Sequence, residues 1–364
     1  MTILDRHLAL ALLGAAALTA VVLMGLSGFV TFVEELDWAR RNGFGLSAAA
    51  WLTLYRLPEL LFEMFPLVVL LGAILGLGGL ASAGELVVMQ GAGMSLGRLA
   101  GSVAVVGLML GLASLILGDR LVPHARAAEA ALKSGNDAGT APARGLWLRD
   151  GERFVHIARV ADPRNLEAVR VFEIAADGRR LEAVQFADEV SYATDTPTTL
   201  GSPAGGWMAS GWRRERPGED RLLLERQDLK PLAFGFGPDV IELFLLRADS
   251  LSLPGLLRYI RYLEHNKLDA HRPRLEFWRK LAAPLSVVAM VLIAVPFVLG
   301  PLRDTGAGQR LFVGVLMGIG FYVFNEAVVS MGMVYRWPPL LAAFMPVVAL
   351  LMLASWRLQR HRVA

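Results

Sequence analysis

Apolar positions gather into six long blocks along the chain, three before and three after a long polar interruption. A bilayer crossing needs about 20 mostly apolar residues. Residues 8–33, 58–80, 96–118, 281–299, 311–333 and 340–356 meet that test, so the pattern predicts six transmembrane helices. The first block starts where a signal peptide would lie. Its apolar run is about twice the length of a signal-peptide core, and only Arg6 and His7 supply charge before it, so it is expected to remain as an anchor.

In the interruption, from about residue 120 to 272, apolar runs shorten and turn signals recur, as in a sandwich of short strands. Leu146–Arg149, Asp150-Gly151 and Arg153–Ile157 read as a hairpin with a tight primed turn. Val169–Ile174, Asp177-Gly178 and Leu181–Phe186 repeat it, and Gly206–Arg213 and Arg221–Glu225 are further strands joined by Arg216-Pro217-Gly218-Glu219. A helix closes the segment: Ser252 can cap it, Pro254 suits its first turn, and Leu256, Leu257, Ile260 and Leu263 form one face, with Arg258, Arg261 and His265 on another. The expected fold is a polytopic α-helical membrane protein with six transmembrane helices and an inserted β domain. Its helices 1–3 occupy residues 1–119, the β domain with its closing helix 120–272, and helices 4–6 residues 273–364.

Composition agrees with the pattern. Hydrophobic residues make up 55% and charged residues 19%, and the mean hydropathy is +0.48, which excludes a soluble, collagen-like or disordered chain. There is no cysteine, hence no disulfide, zinc ribbon, iron–sulfur cluster or thiol nucleophile. The net charge of +3 rests on arginine, since the lysines are Lys133, Lys230, Lys267 and Lys280 alone. In a membrane protein this excess reports loop topology and not nucleic acid. Arg6, Arg98, Arg303, Arg310, Arg357, Arg360 and Arg362 fall on one side, which is predicted cytoplasmic together with both termini. Arg40, Arg41, Arg56 and Arg336 on the other side weaken the bias without reversing it.

No complete catalytic signature is present. No Gly-x-x-x-x-Gly-Lys-[Ser/Thr] occurs, the six histidines lie apart without a carboxylate cluster at ligand spacing, and Ser95, which stands in Gly93-Met94-Ser95-Leu96-Gly97, has no evident base beside it. No metal site, bound cofactor or enzyme active site is expected; any nucleotide belongs to another subunit. Small residues recur at four-residue spacing in Gly72/Gly76, Gly97/Gly101, Gly107/Gly111 and Gly314/Gly318, which suits either close packing inside the bundle or a subunit interface.

Three short segments carry the candidate chemistry. Residues 82–93, Ser-Ala-Gly-Glu-Leu-Val-Val-Met-Gln-Gly-Ala-Gly, read as a short helix with a Ser82/Glu85 capping box and a stop at Gly91. It is either a plain connector or a docking helix that puts Leu86 and Met89 into a partner's groove, with Glu85 facing a basic residue there. Glu59 and Glu63 sit one turn apart where Arg56 could pair with them. Asn325 and Glu326 lie inside the fifth crossing, and a carboxylate in an apolar span is a functional candidate by default, with a solvated or paired state as its alternative.

Together these residues resemble a known family. Leu4-Asp5-Arg6, the Glu-Leu-Val-Val-Met-Gln of 85–90, the Gly-Leu-Trp-Leu-Arg-Asp-Gly of 145–151, Phe277-Trp278-Arg279-Lys280-Leu281, Gly300-Pro301-Leu302-Arg303, and Val334-Tyr335 followed by Pro338-Pro339 are similar to the LptF/LptG permeases of the lipopolysaccharide export ABC transporter. The hairpin and the Phe-Trp-Arg-Lys segment favour the LptG branch. The resemblance covers essentially the whole chain. It implies a periplasmic β-jelly-roll between the third and fourth crossings and an inner-membrane location. It also implies an LptF partner, an LptB ATPase dimer holding ATP and magnesium, a single-span LptC, and a coupling helix around Glu85, Leu86 and Met89. Lipopolysaccharide would enter a cavity through a lateral gate at the first and fifth crossings, where Thr31, Asn325 and Glu326 stand. Phe29 and Phe32 would line its apolar wall, and Arg40, Arg41, Arg279 and Lys280 are the cations available for lipid phosphates. Where better-studied members carry lysines on the first crossing, Thr31, Asp37 and Trp38 stand here, with Arg40 and Arg41 a few residues on. The competing readings are an LptF-like paralogue, a permease for another lipid, and a membrane scaffold with no transport role.

Overall fold

The computed structural model describes residues 3–134, 145–175, 180–193, 206–217, 222–245, 251–299 and 306–363. The expected turns at Asp177-Gly178 and Gly218-Glu219, and the Gly300–Arg303 segment, lie outside the described residues. Two compact units are present, one formed by residues 1–129 with 271–364 and the other by residues 130–270.

Among its described residues the first unit holds six helices long and apolar enough to cross a membrane. These are α1 (Ile3–Arg41), α2 (Leu46–Ser82), α4 (Leu96–Ile116) prolonged into α5 (Val122–Ser134), α8 (His271–Leu299), α9 (Ala307–Val334) and α10 (Pro339–Val363); the short α3 (Glu85–Gly91) joins α2 to α4. All six expected crossings are present, and each helix outruns its apolar block. The 39 residues of α1 extend roughly 58 Å at 1.5 Å per residue, about twice the hydrocarbon thickness, so the ends stand clear of the apolar layer. The third crossing was expected to stop at Gly118. Instead a π-helical turn, Leu117–Leu121, carries it on into α5. The most buried crossing is α8, which packs on α2, α4 and α10. Its Val287, Met290, Val291, Ile293, Ala294 and Val298 share one core with Leu70, Ile74 and Leu77 of α2 and Val103 and Val106 of α4.

Close approach in this core uses the small residues. A Cβ on Gly72 would stand 2.5 Å from the Ala16 backbone of α1, and one on Gly111 would stand 2.6 Å from the Pro284 carbonyl of α8. Gly314 and Gly318 meet Leu71 and Leu67 of α2, whereas nothing lies near Gly101. Three of the four glycine pairs therefore pack the bundle internally.

Among its described residues the second unit has one antiparallel sheet of six strands paired in chain order: β1 (Leu146–Asp150), β2 (Arg153–Asp162), β3 (Asn165–Ile174), β4 (Leu181–Ala193), β5 (Gly206–Pro217) and β6 (Leu222–Leu232). Short strands in a sandwich were expected; β2 to β6 are long, and the jelly-roll that the resemblance implies takes the form of a single meander. The reason lies in a crease. Ala158, Ala168, Asp188 and Gly211 stand in line across the registers of β2 to β5. At that line the buried positions change parity: Val155 and Ile157 give way to Val160, Leu166 to Val169 and Val171, Ala187 to Val190, and Trp207 and Ala209 to Trp212. Ala168 and Gly211 have φ of 52° and 63°, left-handed values that break the alternation of an extended strand. Each long strand thus reads in sequence as two short ones. The first hairpin forms as expected, but its two central residues are Gly151, at φ 63°, and Glu152, one place later than Asp150-Gly151.

Two helices complete this unit, α6 (Pro238–Leu245) and α7 (Leu253–His265). Ser252 caps α7 by accepting from Gly255 N at 3.3 Å, and Leu256, Ile260 and Leu263 are buried as expected, while Leu257 is exposed. Tyr262 and Asn266 hold the β1–β2 hairpin. The Tyr262 hydroxyl accepts from Arg149 N and donates to Arg149 O, at 3.0 and 2.7 Å, and Asn266 Oδ1 accepts from Gly151 N at 3.0 Å.

Candidate functional site

At one end of the bundle, α3 is built differently from its expected capping box. The Ser82 hydroxyl turns back to the carbonyls of Gly78 and Gly79 at 3.0 and 2.9 Å, because α2 runs through Ser82 and its last carbonyls need donors. The N-cap is Gly84 in the left-handed region at φ 76°. Glu85 is left to meet His7 of α1, with Nε2 and Oε2 2.7 Å apart. Leu86 and Met89 are 3% and 5% exposed and belong to the bundle core, whereas Val87 and Val88 are 52% and 72% exposed. The docking contacts expected of Leu86 and Met89 are therefore corrected: a seven-residue helix wedged against α2 buries its i, i+3 pair inward and turns the residues between them outward. Nearby, Ser102 of α4 donates to Asp5 of α1 at 2.7 Å, and the buried Arg310 of α9 donates to Gly78 O of α2. None of these ties carries a sequence signal, since their partners lie 97 and 232 residues apart.

The opposite end gathers the other candidates. Arg56 pairs with Glu35 at 2.9 Å and Glu34 at 3.9 Å, not with Glu59, because α1 and α2 run antiparallel and bring residues 35 and 56 level. Glu59 instead takes Arg126 of α5, which also meets Glu129 at 3.0 Å. On α1, Thr31 is buried and Phe32 half-buried, while Phe29 is 66% exposed; Arg40 is exposed and Arg41 pairs with Asp37. Glu326 of α9 is paired: it accepts from Arg279 Nη2 at 3.0 Å, and Arg279 also reaches Glu276 at 3.4 Å. Asn325 beside it is half-buried.

Lys280 departs from its expected place among phosphate-binding cations. It is 5% exposed and donates to Gly118 O at 3.2 Å. Adjacent helical residues point about 100° apart, and here Arg279 reaches Glu326 while Lys280 turns to Gly118. A π-helical turn disturbs the regular hydrogen-bond ladder and offers a carbonyl to such a donor.

Residues 6–360 match the family described as Lipopolysaccharide export system permease LptF/LptG. The lipopolysaccharide export system permease protein LptG of Haemophilus influenzae is 31% identical over 363 residues, covering 99% of both chains. The protein of the same name from Escherichia coli K12 is 31% identical over 369 residues, covering 98% of both. The chain belongs to the LptF/LptG family. It is a multi-pass inner-membrane permease subunit of lipopolysaccharide export, and such a subunit is the non-catalytic component of its ABC transporter.

The α1 and α9 helices of this permease subunit keep apolar stripes uncovered. On α1 they are Leu18, Val22, Leu26, Phe29 and Val33, and on α9 Phe312, Leu316, Ile319 and Val323. Only 22% of the apolar window of each is buried, against 61% for α8. Within an apolar span such stripes face lipid, substrate or another subunit.

Proposed function

We propose that this permease subunit pairs with an LptF partner to extract lipopolysaccharide from the inner membrane and pass it to a periplasmic bridge toward the outer membrane. An LptB dimer docked on α3 supplies the drive, with its own ATP and magnesium, and LptC completes the complex. The termini and α3 are cytoplasmic, and the β domain is periplasmic. The observation that carries the reading is the pair of uncovered apolar stripes on α1 and α9, the first and fifth crossings. They supply the walls of a lateral gate and cavity for acyl chains, with Arg40 and the half-exposed Arg279 beside the opening for lipid phosphates.

Coupling then runs through α3. Val87 and Val88 face the ATPase, Glu85 is shared between His7 and the ATPase, and Leu86 and Met89 lock α3 into the core, so that a push on its outer face moves α1, α2 and α4 together. Glu85→Lys places a cation beside His7 and at the docking face, and reversing a charge at a desolvated interface costs roughly 2–5 kcal/mol. The variant is expected in the membrane but without co-purifying ATPase and without export; normal recovery of the ATPase sinks the coupling role. A photo-crosslinking residue at Phe29 should capture lipopolysaccharide in cells, and one at Lys280 should not. Capture equal to that at lipid-facing control positions rejects the cavity wall on α1.

A further inference from the structure

On the outer face of α4, its π-helical turn and α5, a groove of about 360 Å³ is lined by Ala113, Ile116, Leu117, Arg120, Leu121 and His124. This is at the small end of ligand clefts, about 300–1,000 Å³. Leading to it, Val105, Leu108, Met109 and Leu112 are all exposed on the same side of α4 as Ile116. Eleven residues at 1.5 Å each give an apolar track of roughly 16 Å. Where the track ends, Arg120 and His124 are exposed, and Arg120 makes no ion pair among the described residues. His124 Nδ1 donates to Arg120 O at 2.6 Å, which fixes the ring on the backbone of the π-helical turn and leaves Nε2 for another partner.

We propose that this groove binds one phospholipid of net-negative headgroup from the surrounding bilayer, with its phosphate on Arg120 and an acyl chain along the α4 track. Charge complementarity selects the headgroup, since a guanidinium forms paired, charge-assisted hydrogen bonds to phosphate oxygens. The track offers an acyl chain the side chains of Val, Leu, Met and Ile, while Gly107 and Gly111, which bring α4 against α8, are on the other side of α4. The site needs only the membrane span and is separate from α3, α1 and α9, so it stands or falls apart from the transport reading.

The test is native mass spectrometry of the intact transporter complex in mild detergent, titrated with phosphatidylglycerol, phosphatidylethanolamine and diacylglycerol. Phosphatidylglycerol should bind tightest. Arg120→Gln should weaken it about fivefold, the equivalent of ~1 kcal/mol for one basic residue at an anionic surface. Arg120→Lys should keep most of the binding, and Arg258→Gln, in the β domain, should change nothing. A photo-crosslinking residue at Ile116 should capture phospholipid in cells. Equal binding of phosphatidylglycerol and diacylglycerol, or binding unchanged by Arg120→Gln, overturns the proposal. So does capture at Ile116 of lipopolysaccharide or of a protein instead.

Discussion

Single side chains in this protein act chiefly as ties between helices distant in sequence, and their energetics follow from burial. Lys280 is a buried amine inside an apolar bundle, donating to the carbonyl of Gly118. Truncating one partner of a buried hydrogen bond leaves the other unsatisfied. Lys280→Ala is therefore expected to lower stability by ~2–4 kcal/mol, with Lys280→Met losing less because the stem still fills the space. Thermal unfolding in detergent measures both, and an unchanged melting temperature for Lys280→Ala would contradict the tie. Tyr262 makes the corresponding case in the β domain. Burial, against the pull of its backbone hydrogen bond and helped by the Asp150 charge, pushes its pKa from 10.0 up to about 12. The folded state thus holds this proton more tightly than the unfolded state, so the stabilisation is complete below pH 10 and vanishes as pH rises through about 12. Ultraviolet titration of phenolate should show one late-titrating tyrosine that Tyr262→Phe removes, and that variant should lose ~1–2 kcal/mol of stability with its two hydrogen bonds. Sequence placed Arg279 and Lys280 together as neighbours in a motif, whereas the helix turns them to different surroundings.

Among the elements, helix contacts are set by where a Cβ can be afforded. Gly111→Ala would drive a methyl to 2.6 Å from the Pro284 carbonyl and 2.8 Å from its Cα, both backbone atoms. Overpacking of this kind costs ~1–3 kcal/mol, so α4 and α8 should separate and the melting temperature fall. Gly101→Ala, with open space beside it, should melt like the natural protein or slightly higher, because alanine stiffens the helix. Equal melting of the two variants would show that the α4–α8 approach is looser than described. The four-residue spacing of glycines was legible in the sequence, and so was its purpose of close packing. Which neighbour each pair meets was not, since spacing fixes a face of one helix and says nothing of the helix opposite.

For the molecule as a whole, the division into a bundle and an inserted sheet makes the β domain removable in principle. Replacing residues 135–270 by a flexible linker should leave a protein that still assembles with its partners and retains some ATP hydrolysis, because α3 is untouched, but lipopolysaccharide should no longer leave the membrane for the bridge. Export by this variant in a reconstituted release assay would show the sheet dispensable. Six crossings, their separation by a β domain and the lack of a phosphate-binding loop were all determined by sequence alone, since each depends on local hydropathy, turn chemistry or residue type. Family motifs added lipopolysaccharide export. Tertiary structure decided the rest. It turned Leu86 and Met89 inward and Val87 and Val88 outward, moved Arg56 from Glu59 to Glu35, joined pairs of short strands into long creased ones, and buried Lys280 under a π-helical turn. Each of these depends on what another segment places alongside, and an apolar or charged residue reads the same in sequence whichever neighbour it finally meets.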